Sequence, residues 1–507
     1  MPEDSLKKRY FYKLSTNLFG LVINMATQAI IPRGLGPKAY GDFNFLTNFF
    51  NQVIAFLDMG TSIGFYTKLS QRPKELGLVS FYFYFMGIVS AGVLGFVAIT
   101  VVTSINTSIW IEQEVLYIYM AAIWGILMWF SQILNQMIDG YGLTVSGEKT
   151  KILQKALGLI LILLLYGFHQ LNLINFFYYN YIILLVLAGA FIWIMQHNGY
   201  LIKDVWRLSW EQIKRYLKEF YQYSHPLFSY AVVGLVVGIF DRWLLQVYSG
   251  SIQQGFYSLS YQIGAICFLF TSAMTPLLIR EFSIAYGQQD LSEMARLFRR
   301  YIPLLYSIAA YFSCFIAVQS DKVVYIFGGD KFKESAGVLT IMAFYPIHQT
   351  YGQLSGSVFY ATGQTALYRN IGVIFMLLGL PVTYFLIAPP DNMGLNMGAT
   401  GLAVKMVVLQ FIGVNVQLYF NARLLKLSFG RYLGHQIAST GCFLILSTVA
   451  VFIVNNLQAI NKNILVSFLS AGFLYTLTVA AMAYYKPVIF GLKKEDIKSF
   501  VNKLKGF

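Results

Sequence analysis

Apolar runs about twenty residues long alternate with short polar connections along this chain. That is the pattern of helices crossing a hydrocarbon layer about 30 Å thick. Hydropathy predicts about fourteen spans, at 14–33, 43–67, 78–103, 114–138, 152–172, 174–196, 226–248, 256–280, 301–327, 337–361, 367–388, 398–422, 434–456 and 463–485. The fifth and sixth are separated only by a short, uncharged turn at Asn172. The first run follows Lys7, Lys8, Arg9 and Lys13, is long for the core of a signal peptide and has no small-residue cleavage site after it. It reads as an uncleaved span.

The connections carry basic residues unevenly. With the N-terminus in the cytoplasm, 29 of the 37 Lys and Arg fall in cytoplasmic segments and seven outside, while Lys405 lies mid-span. Lys149, Lys151 and Lys155 count among the cytoplasmic ones. This bias predicts a multi-pass protein with both termini cytoplasmic. In the longest connection Ile202, Val205, Ser209, Ile213, Tyr216 or Leu217, and Phe220 recur at helical spacing, with basic residues on the other face. The spacing predicts an amphipathic helix over 201–224 lying on the inner leaflet. The tail 489–505 repeats the pattern more weakly, through Ile497, Phe500, Val501 and Leu504.

An internal repeat organises the spans. Leu35 to Phe43 (LGPKAYGDF) follows the first, and Ser249 to Tyr257 (SGSIQQGFY) follows the seventh. At an offset of 214, Gly36 meets Gly250, Gly41 meets Gly255 and Phe43 meets Tyr257; Gly147 and Gly363 match at 216. Six spans per repeat is an even number, so the two halves start on the same side of the membrane. The expected fold is therefore an all-α polytopic membrane protein. Two pseudo-symmetric six-helix lobes surround a central cavity, and two extra C-terminal helices follow. The expected divisions are 1–198 (first lobe), 199–225 (amphipathic linker), 226–425 (second lobe), 426–486 (two added spans) and 487–507 (cytoplasmic tail).

Composition excludes the alternatives. Of 507 residues 57% are hydrophobic and 12% charged, with mean hydropathy +0.59. Those charges are too few to cover a soluble protein of this size, and disorder, collagen and coiled coil fail on the same numbers. A net charge of +15 would suggest nucleic acid in a soluble protein; here the cytoplasmic loops account for it. Cys267, Cys314 and Cys442 all lie in apolar stretches, which fits neither a disulfide framework nor a zinc site. The five histidines show no metal spacing, so neither metal nor cofactor is expected. Gly142 to Lys149 superficially resembles a phosphate loop, but Glu148 stands where lysine is required and the segment follows an apolar helix. An ion gradient is the better energy source than ATP.

Arg33-Gly34-Leu35-Gly36-Pro37-Lys38-Ala39-Tyr40-Gly41 reads R-x-L-G-P-x-x-Y-G directly after the first span, and Leu57-Asp58-Met59-Gly60 follows inside the second. With twelve plus two spans, the chain resembles the polysaccharide-transporter (Wzx-type flippase) branch of the multidrug/oligosaccharidyl-lipid/polysaccharide (MOP) exporter superfamily. The resemblance implies a plasma-membrane flippase, not an enzyme. It would carry polyprenyl-pyrophosphate-linked oligosaccharide from the inner to the outer leaflet for O-antigen, capsule or exopolysaccharide synthesis. Lobe rocking coupled to H+ or Na+ would drive it, with polysaccharide polymerase and assembly proteins as further partners. The alternatives are a multidrug/cation antiporter of the same superfamily and an integral membrane polymerase or acyltransferase.

Ionisable residues inside spans are the candidate site residues, because burying charge in hydrocarbon is costly. For substrate contact these are Arg33, Arg242 and Lys405, with Lys68 and Arg280 at the cytoplasmic ends of spans two and eight. Arginine suits bidentate contact to pyrophosphate. For ion coupling they are Asp58, Asp241 and Glu281. Each has a plainer structural reading: a kink beside Gly60 for Asp58, an interfacial anchor for Arg242, a turn residue for Arg33, a salt bridge for Lys405. His348, Asn48, Gln52 and Gln132 are secondary candidates.

Overall fold

A computed structural model describes residues 6–73, 75–200, 208–225, 228–457 and 463–492. Among these, all regular structure is helical: α1 (Leu6–Asp58), α2 (Thr61–Gln71), α3 (Leu76–Val102), α4 (Asn106–Ile109), α5 (Val115–Gly140), α6 (Thr144–Gly167), α7 (Leu173–His197), α8 (Trp210–Ser224), α9 (Phe228–Ala265), α10 (Leu269–Gly287), α11 (Leu291–Val318), α12 (Ser320–Gly328), α13 (Ala336–Met342), α14 (Tyr345–Ala361), α15 (Thr365–Ile387), α16 (Gly398–Leu424), α17 (Phe429–Asn455) and α18 (Ile464–Tyr485), with short 3₁₀ turns between.

Among the described residues, ten helices are long and apolar enough to cross a membrane. The other predicted spans are present but joined or broken by kinks. Spans one and two run together in α1, which turns at Gly36 (φ 76°, ψ 170°) and breaks at Met59 (φ 42°) and Gly60 (φ 76°) before α2. Span seven continues into span eight through α9, which turns at Gly250 (φ 73°, ψ −177°) and passes a 3₁₀ turn into α10. Span ten divides into α13 and α14.

The chain forms two compact units, Met1–Gly255 and Phe256–Phe507. This division falls inside α9, so residues 228–255, expected in the second lobe over 226–425, group with the first unit. The same helix pairs pack in both units. In the first, α1 packs on α5, α3 on α5, α5 on α7 and α6 on α7; in the second, α10 on α14, α11 on α14, α14 on α16 and α15 on α16. Of the two added helices, α17 packs on α11 and α18 packs on α17. Tyr475 donates to the Tyr311 carbonyl at 3.0 Å, Tyr306 meets Thr440 at 3.0 Å, and the amides of Asn415 and Gln436 bond reciprocally. These bonds satisfy polar groups that lipid could not.

Two expectations change. The amphipathic helix is described from Trp210, started by a Ser209–Gln212 capping box. Its part over 201–207, and the tail from 493, lie outside the described residues. Tyr216 and Phe220 do not face lipid. They are buried in a core with Phe81 and Tyr82 of α3 and Trp129 of α5, while Trp210, Leu217 and Tyr221 stay exposed. Lys155, grouped with the cytoplasmic connections, lies well inside α6. The turn at Gly142 (φ 75°) and the Thr144 hydroxyl, donating to Asp139 at 2.8 Å, start that helix eleven residues earlier. Lys155 is thus about 16 Å along a helix about 36 Å long.

Candidate functional site

The repeated glycine motif forms the best-defined constellation in the first unit. Gly36 and Gly250 adopt the same left-handed, extended-ψ elbow, a region that disfavours any side chain. The segments leaving the two elbows cross backbone against backbone. A Cβ on Gly41 would sit 1.8 Å from the Ser251 carbonyl oxygen, and one on Gly255 would sit 2.2 Å from that of Pro37. Pro37 corresponds to Ser251 and Gly41 to Gly255 by the same 214-residue offset, so the crossing is a local pseudo-two-fold.

Polar side chains latch this crossing. Gln113 Nε2 donates to Asp42 Oδ1 at 2.8 Å and reaches Ser251 Oγ at 3.4 Å. Gln246 Nε2 donates to Ser251 Oγ at 3.0 Å and to the Ile111 carbonyl at 3.2 Å. Trp243 donates to the Ser108 carbonyl at 3.1 Å, and Asn48 to that of Gly238 at 3.2 Å. Asp42, Ser251 and Gln246 are buried. Arg242 donates to Gln254 Oε1 at 3.1 Å, and Gln254 Nε2 donates back to the Arg242 carbonyl across the elbow. Arg33 sits three residues before the first elbow; Arg33, Asp241 and Arg242 are all half-buried. The latch residues Asp42, Gln113, Gln246 and Ser251 were not singled out from the sequence. Two of them, Asp42 and Ser251, lie inside the repeated motif, which was the available signal.

Asp58 occupies a second site, at the α1–α2 break. Its carboxylate accepts from Ser62 Oγ at 2.8 Å, Tyr82 OH at 3.0 Å, Thr61 Oγ and Ser62 N at 3.1 Å, and Trp129 Nε1 at 3.3 Å. Five donors from three helices converge on it, and the Ser62 amide is one that the first turn of α2 leaves open. This geometry holds the kink.

Lys68 does not stand open at a gate. Its Nζ pairs with Glu219 of α8 at 2.6 Å, and Arg72 joins the same oxygen at 2.9 Å. Arg72 also pairs with Glu75 at 3.0 Å, and Arg215 and Tyr216 of α8 both donate to Glu75. Burial alone would raise the Glu219 carboxyl, but hydrogen bonds from Lys68 and Arg72 outweigh it and hold it below its ordinary value. Burial, with the Glu75 carboxylate beside it, pushes the Tyr216 hydroxyl up to about 12.

In the second unit, Arg280 pairs with its neighbour Glu281 at 2.6 Å, both exposed. Lys405 is buried, and its chain lies over Gly379 of α15, whose Cβ would stand 2.9 Å from Lys405 Cε. His348 is buried, its Nδ1 without a hydrogen-bond partner and its ring edge-on to Phe411. Within the first unit, Arg242, Asp58 and Lys68 each sit in a separate network.

The chain matches no family profile and no curated protein. Solved structures do match. A multidrug resistance transporter of the MATE family, in an inward-facing conformation, covers 80% of this chain and 94% of its own, with TM-score 0.62 and 14% identity. The lipid II flippase MurJ, in an inward closed conformation, covers 95% of this chain and 100% of its own, with TM-score 0.68 and 11% identity. A MOP superfamily transporter from Pyrococcus furiosus covers 83% and 96%, with TM-score 0.52 and 17% identity. The chain has the fold of MOP superfamily transporters.

Proposed function

We propose that this protein is a flippase that moves polyprenyl-pyrophosphate-linked oligosaccharide from the inner to the outer leaflet of the plasma membrane. It would do so by alternating access driven by an ion gradient, in the synthesis of a surface polysaccharide. One observation carries the reading. The lipid II flippase matches 95% of this chain, whereas the multidrug transporter leaves about a fifth of it unmatched. The R-x-L-G-P-x-x-Y-G motif at the first elbow supports the same branch. Physical chemistry fits the cargo. A glycan with a pyrophosphate cannot cross hydrocarbon unaided, since every hydroxyl and charge would lose its hydration. The orientation proposed puts both termini in the cytoplasm and the two elbows at the outer face.

The test is deletion of the gene, followed by a leaflet assay with an impermeant glycan-cleaving enzyme on spheroplasts. Finished lipid-linked units protected inside support the flippase. Single units exposed and unpolymerised on the outer face would make the protein an enzyme acting after translocation. Unchanged glycan, together with new drug sensitivity, would favour the multidrug reading that the MATE likeness also permits.

A further inference from the structure

Helix α6 carries a charged stripe on the side that packs against α1. Glu148, Lys151 and Lys155 are spaced three and four residues apart, which places them on one helix face. Glu148 is buried, and Thr16 of α1 donates its hydroxyl to the Glu148 carbonyl at 3.5 Å. Lys151 pairs with the Glu148 carboxylate at 2.8 Å, and Lys149 lies 5.4 Å over the Tyr12 ring of α1. Lys155 reaches across to bare backbone: a Cβ on Gly20 would stand 2.1 Å from its Nζ. An added side chain at position 20 would push this flexible ammonium aside. Among the described residues, Lys155 makes no hydrogen bond or salt bridge, and it is half-buried.

Glu148 pairs directly with Lys151 and acts on Lys155 only at longer range, so one carboxylate serves two lysines and the stripe keeps a net positive charge about 16 Å along the helix. A charge so placed is expensive unless something anionic meets it. The stripe's net positive sign argues against a cation as its ligand. Lysines at i and i+4 stand about 6 Å apart at Cβ, a spacing from which two flexible ammonium groups can reach adjacent phosphates.

We infer that Lys151 and Lys155, with Gly20 as the opening, form a binding station for a phospho-anion, the pyrophosphate of the lipid-linked cargo. The inference rests on the flippase reading. The same chemistry is offered by phospholipid headgroups, so the experiment separates the two sources.

The full-length protein in phosphatidylcholine nanodiscs is titrated with farnesyl diphosphate by calorimetry. Translocation of lipid-linked oligosaccharide is measured in parallel. The wild type is expected to bind the probe. Lys155→Gln and Gly20→Ala should each weaken binding at least tenfold and slow translocation, while Lys155→Arg stays within about threefold. Gly20→Ala keeps the charge and displaces it, so it remains informative should Lys155→Gln fold poorly. Translocation by the wild type with probe binding indifferent to both substitutions would overturn the station and leave the flippase intact. Loss of Lys155-dependent probe binding in phosphatidylglycerol nanodiscs, with translocation unaffected by Lys155→Gln, would make Lys155 a lipid anchor and also overturn the station. A wild type that neither translocates nor binds would sink the flippase reading itself.

Discussion

A single methyl group tests whether the crossed elbows work as a gate. In Gly41→Ala the new carbon would stand 1.8 Å from the Ser251 carbonyl oxygen and 2.8 Å from the Gly255 amide nitrogen. A carbon–oxygen contact relaxes at about 3.3 Å, so the segments must part by about 1.5 Å. Both partners are helical backbone, which has no side-chain torsion to yield. The penalty for such overpacking is about 1–3 kcal/mol, which lowers the population of the crossed state about 5- to 150-fold. Gly255→Ala meets the Pro37 carbonyl at 2.2 Å and should behave alike. The double variant should cost less than the sum, because one separation relieves both clashes. Spin labels at the exposed positions Lys38 and Ile252 read the crossing directly, and a longer distance is expected in both variants. If closing this crossing is part of each cycle, reconstituted translocation falls in proportion. Gly87→Ala in α3 is the control, since its Cβ meets nothing within 4 Å. A Gly41→Ala protein with wild-type label distance and wild-type rate would refute the argument.

Asp58→Asn should lower the thermal midpoint in detergent. The amide offers one acceptor oxygen to five donors, and hydrogen bonds to a charged group contribute about 1.5–3 kcal/mol each. An Asn variant as stable as the wild type but blind to the ion gradient would instead make Asp58 a coupling residue. On α8, Phe220→Ala should release the helix to proteolysis far more than Glu219→Gln, because a buried aromatic contributes about 3–5 kcal/mol and a partly exposed ion pair about 0.2–1 kcal/mol. The Glu219 carboxyl is depressed in the folded protein, so its contribution is full above its ordinary value of 4.5 and fades as pH falls below that. Proteolysis of α8 should accordingly speed up on acidification, and less so in Glu219→Gln. Gly379→Ala should displace the buried Lys405 chain and impair translocation as Lys405→Ala does; normal transport in both variants would remove Lys405 from the mechanism.

The order of spans and the repeat were legible because both rest on local signals, runs of apolar residues and glycines at fixed offsets. What the hydropathy scan missed was continuity. It ends a span where charges begin, so it started the fifth span at 152 and counted Lys151 and Lys155 with the cytoplasmic connection, although Gly142 and Thr144 mark the true start. It also missed partners distant in sequence. Glu219 lies 151 residues from Lys68, and no spacing rule links them. The surroundings of Asp58 were half visible: the Met59–Gly60 break follows it directly, whereas Tyr82 and Trp129 arrive from other helices.

The repeat is symmetric in backbone and asymmetric in chemistry. At the shared offset, Arg33 of the first motif corresponds to Val247 of the second, Lys38 to Ile252, and Asp42 to Phe256. The two elbows have nearly identical φ and ψ, so the geometry tolerates either set of side chains. The elbow bend therefore requires only its glycine, while Asp42 latches the crossing through Gln113 and the second motif repeats no charge at the Arg33 position. Arg33 is costly to place near hydrocarbon, and the second motif shows that the bend does without it. This separates two roles within one nine-residue motif. Substituting Gly41 or Gly255 should disturb the distance between the elbows. Substituting Arg33 should leave that distance unchanged while altering affinity for cargo, whereas Asp42→Ala, which removes the Gln113 latch, should loosen the crossing.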